Sequence, residues 1–288
     1  MPLGRVLLPV DGTRLLEAKL DWALALAPRF APTIDVAFQY GTVDPITVER
    51  NPMIGDPGWL TSEDAWVSRA DSLQSVRAKL GEWAERRQVS YMGRRGNGPA
   101  TVRLLEMTAD YAAAVEEHGR LSDLIVVGQP GPGATALEIE INRLSLMTTG
   151  RRMVVIPPDC VAPADIFEHV LLAWEGGPQA TRMIALMMDI LVASAKVTIF
   201  TAGEARNVAR KQELMRDYLR CNGVDAAFIL DEHLSSRVGP RVLKQIERNS
   251  ATLVGMGAYE HLRMIELVIG GNTRHLYGRS KVPLILVF

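Results

Sequence analysis

The sequence predicts an α/β protein in which one plan is used twice, each time as a parallel sheet with helices on both faces. Three observations predict it. Short runs rich in Val, Leu and Ile alternate with segments whose apolar residues recur every three or four positions, and parallel strands need such helical crossovers. Val6 to Val10, ended by Asp11-Gly12-Thr13, returns as Val170 to Trp174, ended by Glu175-Gly176-Gly177, a step of 164 residues. Gly128, which closes the run Asp123 to Val127, returns as Gly257 after a step of 129. The steps differ because only the first half carries a long stretch broken by Pro and Gly, so the repeat is one fold written twice.

Taken in order, Arg5 to Val10 reads as a strand, and Leu16, Leu20, Ala23 and Ala27 mark the helix after it. Ile34 to Gln39 is a second strand. Residues 41 to 69, with Pro45, Pro52, Gly55, Pro57 and Gly58, form a long loop or insertion. The pattern then predicts a helix from Ala70 to Arg86, a short strand from Gln88 to Met92, and a helix from Ala100 to Glu117. The strand Asp123 to Val127, a helix from Glu138 to Thr149 and a strand from Met153 to Ile156 close a first domain over 1–160. Pro157, Pro158 and Pro163 mark the linker, and a second domain spans 165–288. Its strands are Val170 to Trp174, Val197 to Thr201, Ala226 to Leu230, Thr252 to Met256 and Val282 to Phe288. Its helices carry Met183, Met187, Ile190 and Leu191, then Val208 to Leu219, then Val238, Val242 and Ile246.

With 48% apolar and 23% charged residues and a mean hydropathy of +0.06, the chain can bury substantial cores. A net charge of −1 offers no basic face for nucleic acid and no polybasic arm for an anionic membrane. The chain opens on a strand without a leader pattern, and no run approaches about 18 uninterrupted apolar residues, which places it in the cytoplasm. Cys160 and Cys221 stand in no metal or redox spacing and read as reduced thiols. The five histidines show no H-x3-H or H-E-x-x-H spacing, and Asp231-Glu232-His233 reads as surface charge, so no metal is expected. Neither a G-x-S-x-G elbow nor a Walker loop is present, and no catalytic constellation emerges.

The run Ala251 to Phe288 delivers a strand to Gly257 and then a Gly270-Gly271-Asn272-Thr273 turn before a helix, a geometry that lets backbone amides face a phosphate. This run, with LLPVDGT and DLIVVG, resembles the universal stress protein (UspA) family. Its ATP-binding members carry G-x2-G-x9-G-(S/T). The resemblance covers the chain except residues 41 to 69. It implies two tandem Rossmann-like domains of the adenine nucleotide alpha hydrolase-like type, each a five-stranded parallel sheet of order 3-2-1-4-5. It also implies that the halves pair through their last strands as an internal pseudo-dimer. Further homodimerisation is a second expectation, drawn from the apolar final strand.

What the resemblance implies for ligands is an adenine nucleotide, ATP first, in the second domain, held at Gly257, Gly270, Gly271, Asn272 and Thr273. Two positions depart from the pattern: Glu260 replaces the second glycine, and Gly271 the Ser or Thr. A carboxylate beside three phosphates repels them at short range. Glu175 and Gly176 stand where the family has its strand-end Asp and Gly; a solvated acid is the alternative for Glu175. In the first domain Asp11 and Gly12 match the family, and Gly128 and Gly131 keep the first two glycines. Pro130 and Pro132 remove amide donors, and Ile141 and Asn142 stand where the last Gly and Ser belong. Gly131 to Ala136 also fits G-x-G-x-x-A, but after a late strand, where a loop is the better reading. Three functions follow as expectations: a non-catalytic stress-response module switched by nucleotide, a nucleotide-free scaffold for a protein partner, and a slow nucleotide hydrolase, which the missing base and metal pair disfavour.

Overall fold

The computed structural model describes residues 3–39, 69–92, 96, 98, 100–107, 111–131, 134–162, 165–232, 238–258 and 275–288, with backbone alone at 39, 69–71, 111 and 136. The expected insertion therefore lies outside the described residues, apart from position 69. The strands are β1 (Arg5–Val10), β2 (Thr33–Gln39), β3 (Ser90–Tyr91), β4 (Thr101–Met107), β5 (Leu124–Gly128), β6 (Arg152–Ile156), β7 (His169–Ala173), β8 (Lys196–Ala202), β9 (Ala226–Asp231), β10 (Leu253–Gly257) and β11 (Leu284–Val287). They form one sheet in the order β3-β4-β2-β1-β5-β6-β11-β10-β7-β8-β9.

All neighbouring pairs are parallel except the central one, where Leu284, Ile285 and Leu286 of β11 face Val155, Val154 and Met153 of β6 in antiparallel register. Both strands are fully buried, so neither can end a sheet against water, and pairing removes both edges at once. The halves thus share a continuous sheet.

Helices cover both faces. On one lie α1 (Leu16–Leu24), the short α2 (Ala27–Phe30), α3 (Arg69–Arg87), α6 (Pro178–Leu186), α7 (Met188–Ala193) and α8 (Ala205–Cys221). On the other lie α4 (Tyr111–Arg120), α5 (Ala136–Met147) and α9 (Val238–Asn249), with the turn bearing Leu276 and Tyr277. Trp22 and Trp83 are fully buried on the first face, where Trp83 Nε1 donates to Asp21 Oδ1 at 2.8 Å.

One expected element is corrected. Residues 100 to 117 are not a helix: Thr101–Met107 is β4, paired with β2 over seven residues, and only Tyr111–Arg120 is helical. Val102 and Leu105 have helical spacing, but the ladder decides the outcome. Asp35 and Arg103 face each other in that ladder, and the fully buried Asp35 carboxylate takes the Arg103 guanidinium at 2.6 and 2.8 Å and Arg5 Nε at 2.6 Å. The strand expected at Gln88 to Met92 is reduced to the two residues of β3. The helix carrying Met183 to Leu191 is divided at Met187.

His169, at the start of β7, ties the lower end of the second half together. Its Nδ1 lies 2.7 Å from the carbonyl of Asn249 and its Nε2 2.8 Å from Thr198 Oγ1, which assigns the Nδ1–H tautomer. Burial lowers its pKa, so the folded protein holds it neutral where the unfolded chain, near the usual value of about 6.5, takes up a proton. Its contribution is therefore complete above that value and is lost as the pH falls through the folded pKa. Urea unfolding between pH 7.5 and 5 is expected to show this loss, and His169→Gln to flatten it; equal pH dependence in both proteins would clear His169 of the role.

Candidate functional site

In the first half β1 runs into α1 on one face and β5 runs toward α5 on the other, so the sheet switches direction between them. Ligands on such sheets sit at the carboxyl ends of the strands beside that point. Here the place is filled by side chains of the chain itself. Arg14 donates from Nη1 to Glu138 Oε1 at 2.5 Å and from Nη2 to the carbonyl of Gln129 at 2.9 Å. Thr135, the N-cap of α5, accepts from the Glu138 amide at 3.0 Å and donates to Asp11. Lys19 is buried beneath them.

Gly128 makes this arrangement sterically possible. A Cβ there would meet Glu138 Oε1 at 2.7 Å and Leu15 Cδ1 at 3.0 Å, and one at Gly131 would lie 3.8 Å from Arg14 Nη2. Gly12 faces nothing within 4 Å, so space does not demand a glycine there. The cluster is electrostatically costly. Burial raises the Glu138 pKa, Asp11 adds to the rise, and Lys19 and Arg14 oppose it. Burial also lowers the Lys19 pKa, against the attraction of Glu138 and Asp11. Glu138 Oε2 is buried without a hydrogen-bond partner among the described residues.

The structure thus brings Asp11, Gly128 and Gly131 together, around four residues that sequence reasoning passed over: Arg14, Lys19, Thr135 and Glu138. Thr135 and Glu138 had a local signal, the T-x-x-E spacing of a helix start. Arg14 and Lys19 had none, because Glu138, the acid both face, lies 124 positions from Arg14.

The second half builds its strand ends differently. Glu175 Oε1 accepts the Gly177 amide at 3.1 Å, closing a turn in which Gly176 takes a left-handed φ of +85°. Gly177 caps α6 and Pro178 opens it, and the first turn of that helix packs its backbone against Gly257 at the end of β10. A Cβ on Gly257 would lie 2.7 Å from Ala180 N and 2.9 Å from the Gln179 carbonyl carbon. That glycine is therefore required by close backbone approach. A Cβ on Gly176 would meet the Lys211 side chain at 2.8 Å, which places an α8 cation beside the strand end.

Three further donors were also missed from the sequence. Trp174 continues the ladder past β7, its amide donating to the Phe200 carbonyl at 2.9 Å, and so falls level with Thr201 on the Leu172 and Ile199 side of the sheet. Trp174 Nε1, Thr201 Oγ1 and Gln212 Nε2 are all buried without a partner among the described residues. Glu260, Gly270, Gly271, Asn272 and Thr273 lie outside the described residues; the chain re-enters at His275.

These features define a class: an α/β protein of two Rossmann-like halves, each with a glycine at its switch point. No family model matches the sequence. It is 22% identical to a universal stress protein of Synechocystis sp., over 98% of this chain and 99% of that one. Its fold is similar to the crystal structure of a universal stress protein from Archaeoglobus fulgidus, with a TM-score of 0.68, 14% identity, and 99% and 96% of the two chains covered. It is also similar to the cytoplasmic domain of a prokaryotic cation chloride cotransporter, with a TM-score of 0.54, 11% identity, and 98% and 94% covered. The chain thus resembles universal stress proteins over its full length, in sequence and in fold.

Proposed function

We propose that the protein is a non-catalytic stress-response module of the cytoplasm, with one adenine-nucleotide site per chain, in the second domain. The observation that carries this reading is the asymmetry of the two switch points. Arg14 and Glu138 occupy the first, packed against Gly128 so that no phosphate fits without displacing them. The second presents donors: the first turn of α6, Lys211, and the buried unpartnered groups of Trp174 and Thr201. A set of main-chain, ammonium, indole and hydroxyl donors suits an anionic, acceptor-rich ligand. Glu260 favours the second reading, a nucleotide-free scaffold for a protein partner, because it sets a negative charge in the glycine loop.

Calorimetric titration with ATP and ADP, with and without magnesium, separates the two. One equivalent is expected to bind the natural protein in the micromolar range, about −8 kcal/mol, and Lys211→Ala is expected to weaken it. Two equivalents would mean that the first switch point is open after all. Binding by Glu260→Gly alone would leave the scaffold as the natural function.

A further inference from the structure

The halves also meet through a hydrogen-bonded contact that runs in one direction. Gln129, the residue after Gly128, donates from Nε2 to the carbonyls of Tyr277 at 2.7 Å and Ser280 at 3.3 Å. Asn142, one turn of α5 beyond Glu138, donates from Nδ2 to the Gly128 carbonyl at 2.8 Å and to Tyr277 Oη at 2.7 Å. All four residues are buried, Asn142 completely. Among the described residues the contact has no mirror image. Ala258 holds in the second half the place of Gln129, each giving its amide to the end of the last strand, at Val287 and Ile156. Alanine has no side-chain donor with which to return the contact.

Gln129 is bonded on its other side to the charge cluster, since its carbonyl accepts from Arg14 Nη2 at 2.9 Å. A continuous path therefore leads from Glu138 through Arg14 and Gln129 to Tyr277 and Ser280. Asn142, where the glycine-loop spacing places a phosphate contact, serves the interface instead.

We infer that Gln129 and Asn142 couple the second half's terminal turn, Leu276 to Ser280, to the Arg14–Glu138 cluster, so that a change at the first half's switch point is felt across the interface between the halves. The turn closes its own amides, Arg279 and Ser280, on the Leu276 carbonyl at 3.1 and 2.8 Å, but its carbonyls at 277 and 280 reach out to Gln129. Withdrawing that donor removes a hydrogen bond from each of two carbonyls of the turn and loosens it.

Contiguity alone is not coupling, so the test is a double-mutant cycle read by hydrogen exchange at the Arg279 and Ser280 amides. Gln129→Ala is expected to speed their exchange about tenfold or more. Arg14→Met is expected to speed it in the natural protein and to add nothing in the Gln129→Ala background; an equal effect of Arg14→Met in both backgrounds would overturn the coupling. Should Gln129→Ala fail to fold, the same cycle with Tyr277→Phe answers the question, non-additivity supporting the coupling and additivity overturning it.

Discussion

Arg152→Ala is expected to lower the free energy of unfolding by about 3–5 kcal/mol. Arg152 opens β6 in the first half, and its guanidinium meets both oxygens of Asp189 on α7 of the second, at 2.5 and 2.7 Å. It also donates to the carbonyls of Leu186 at 2.6 Å and Asp123 at 3.0 Å. Its side chain is 5% exposed and that of Asp189 10%, so truncating the arginine strands a charge and two acceptors where little water can reach them. Urea unfolding followed by circular dichroism reads the loss. The paired replacement Arg152→Leu with Asp189→Leu is expected to recover most of it, because no uncompensated charge remains. A cost below about 1 kcal/mol for Arg152→Ala would place the pair with solvated surface bridges instead.

Gly257→Val is expected to be the most disruptive change at the second switch point. A side chain there must enter space held by the backbone of Gln179 and Ala180, and backbone cannot swing aside as the end of a flexible side chain can. Overpacking of this kind costs about 1–3 kcal/mol. Relief requires the first turn of α6 to back away from β10, which carries off the amides proposed to face the ligand. The expected result is a measurable loss of stability together with loss of ATP binding. Gly12→Ala is the control: nothing lies within 4 Å of its Cβ, so both properties should hold. Full ATP affinity in Gly257→Val would detach the α6 turn from the site.

Strands such as Leu124–Gly128 and Leu284–Val287 could be read from the chain because buried parallel strands are short apolar runs bounded by turns, a property local in sequence. The repeat was legible for the same reason, since Asp11-Gly12 and Glu175-Gly176 close equivalent runs. Thr101–Met107 was not, because its strand state depends on a ladder to β2 and on Asp35, 68 positions before Arg103. At the candidate site the glycines showed where the chain turns, and only the tertiary structure showed what each faces: Glu138 at Gly128, and the α6 backbone at Gly257.

By itself, then, the sequence determined the α/β class and the twofold plan, since these follow from periodicity and turn chemistry along the chain. Only the tertiary structure decided that the two switch points differ, one holding an ion pair that joins residues 124 positions apart and the other bringing Trp174 and Thr201 donors together with no partner among the described residues. The reason is physical. Charge pairing and burial are set by distance in space, and a sequence orders its residues only by distance along the chain.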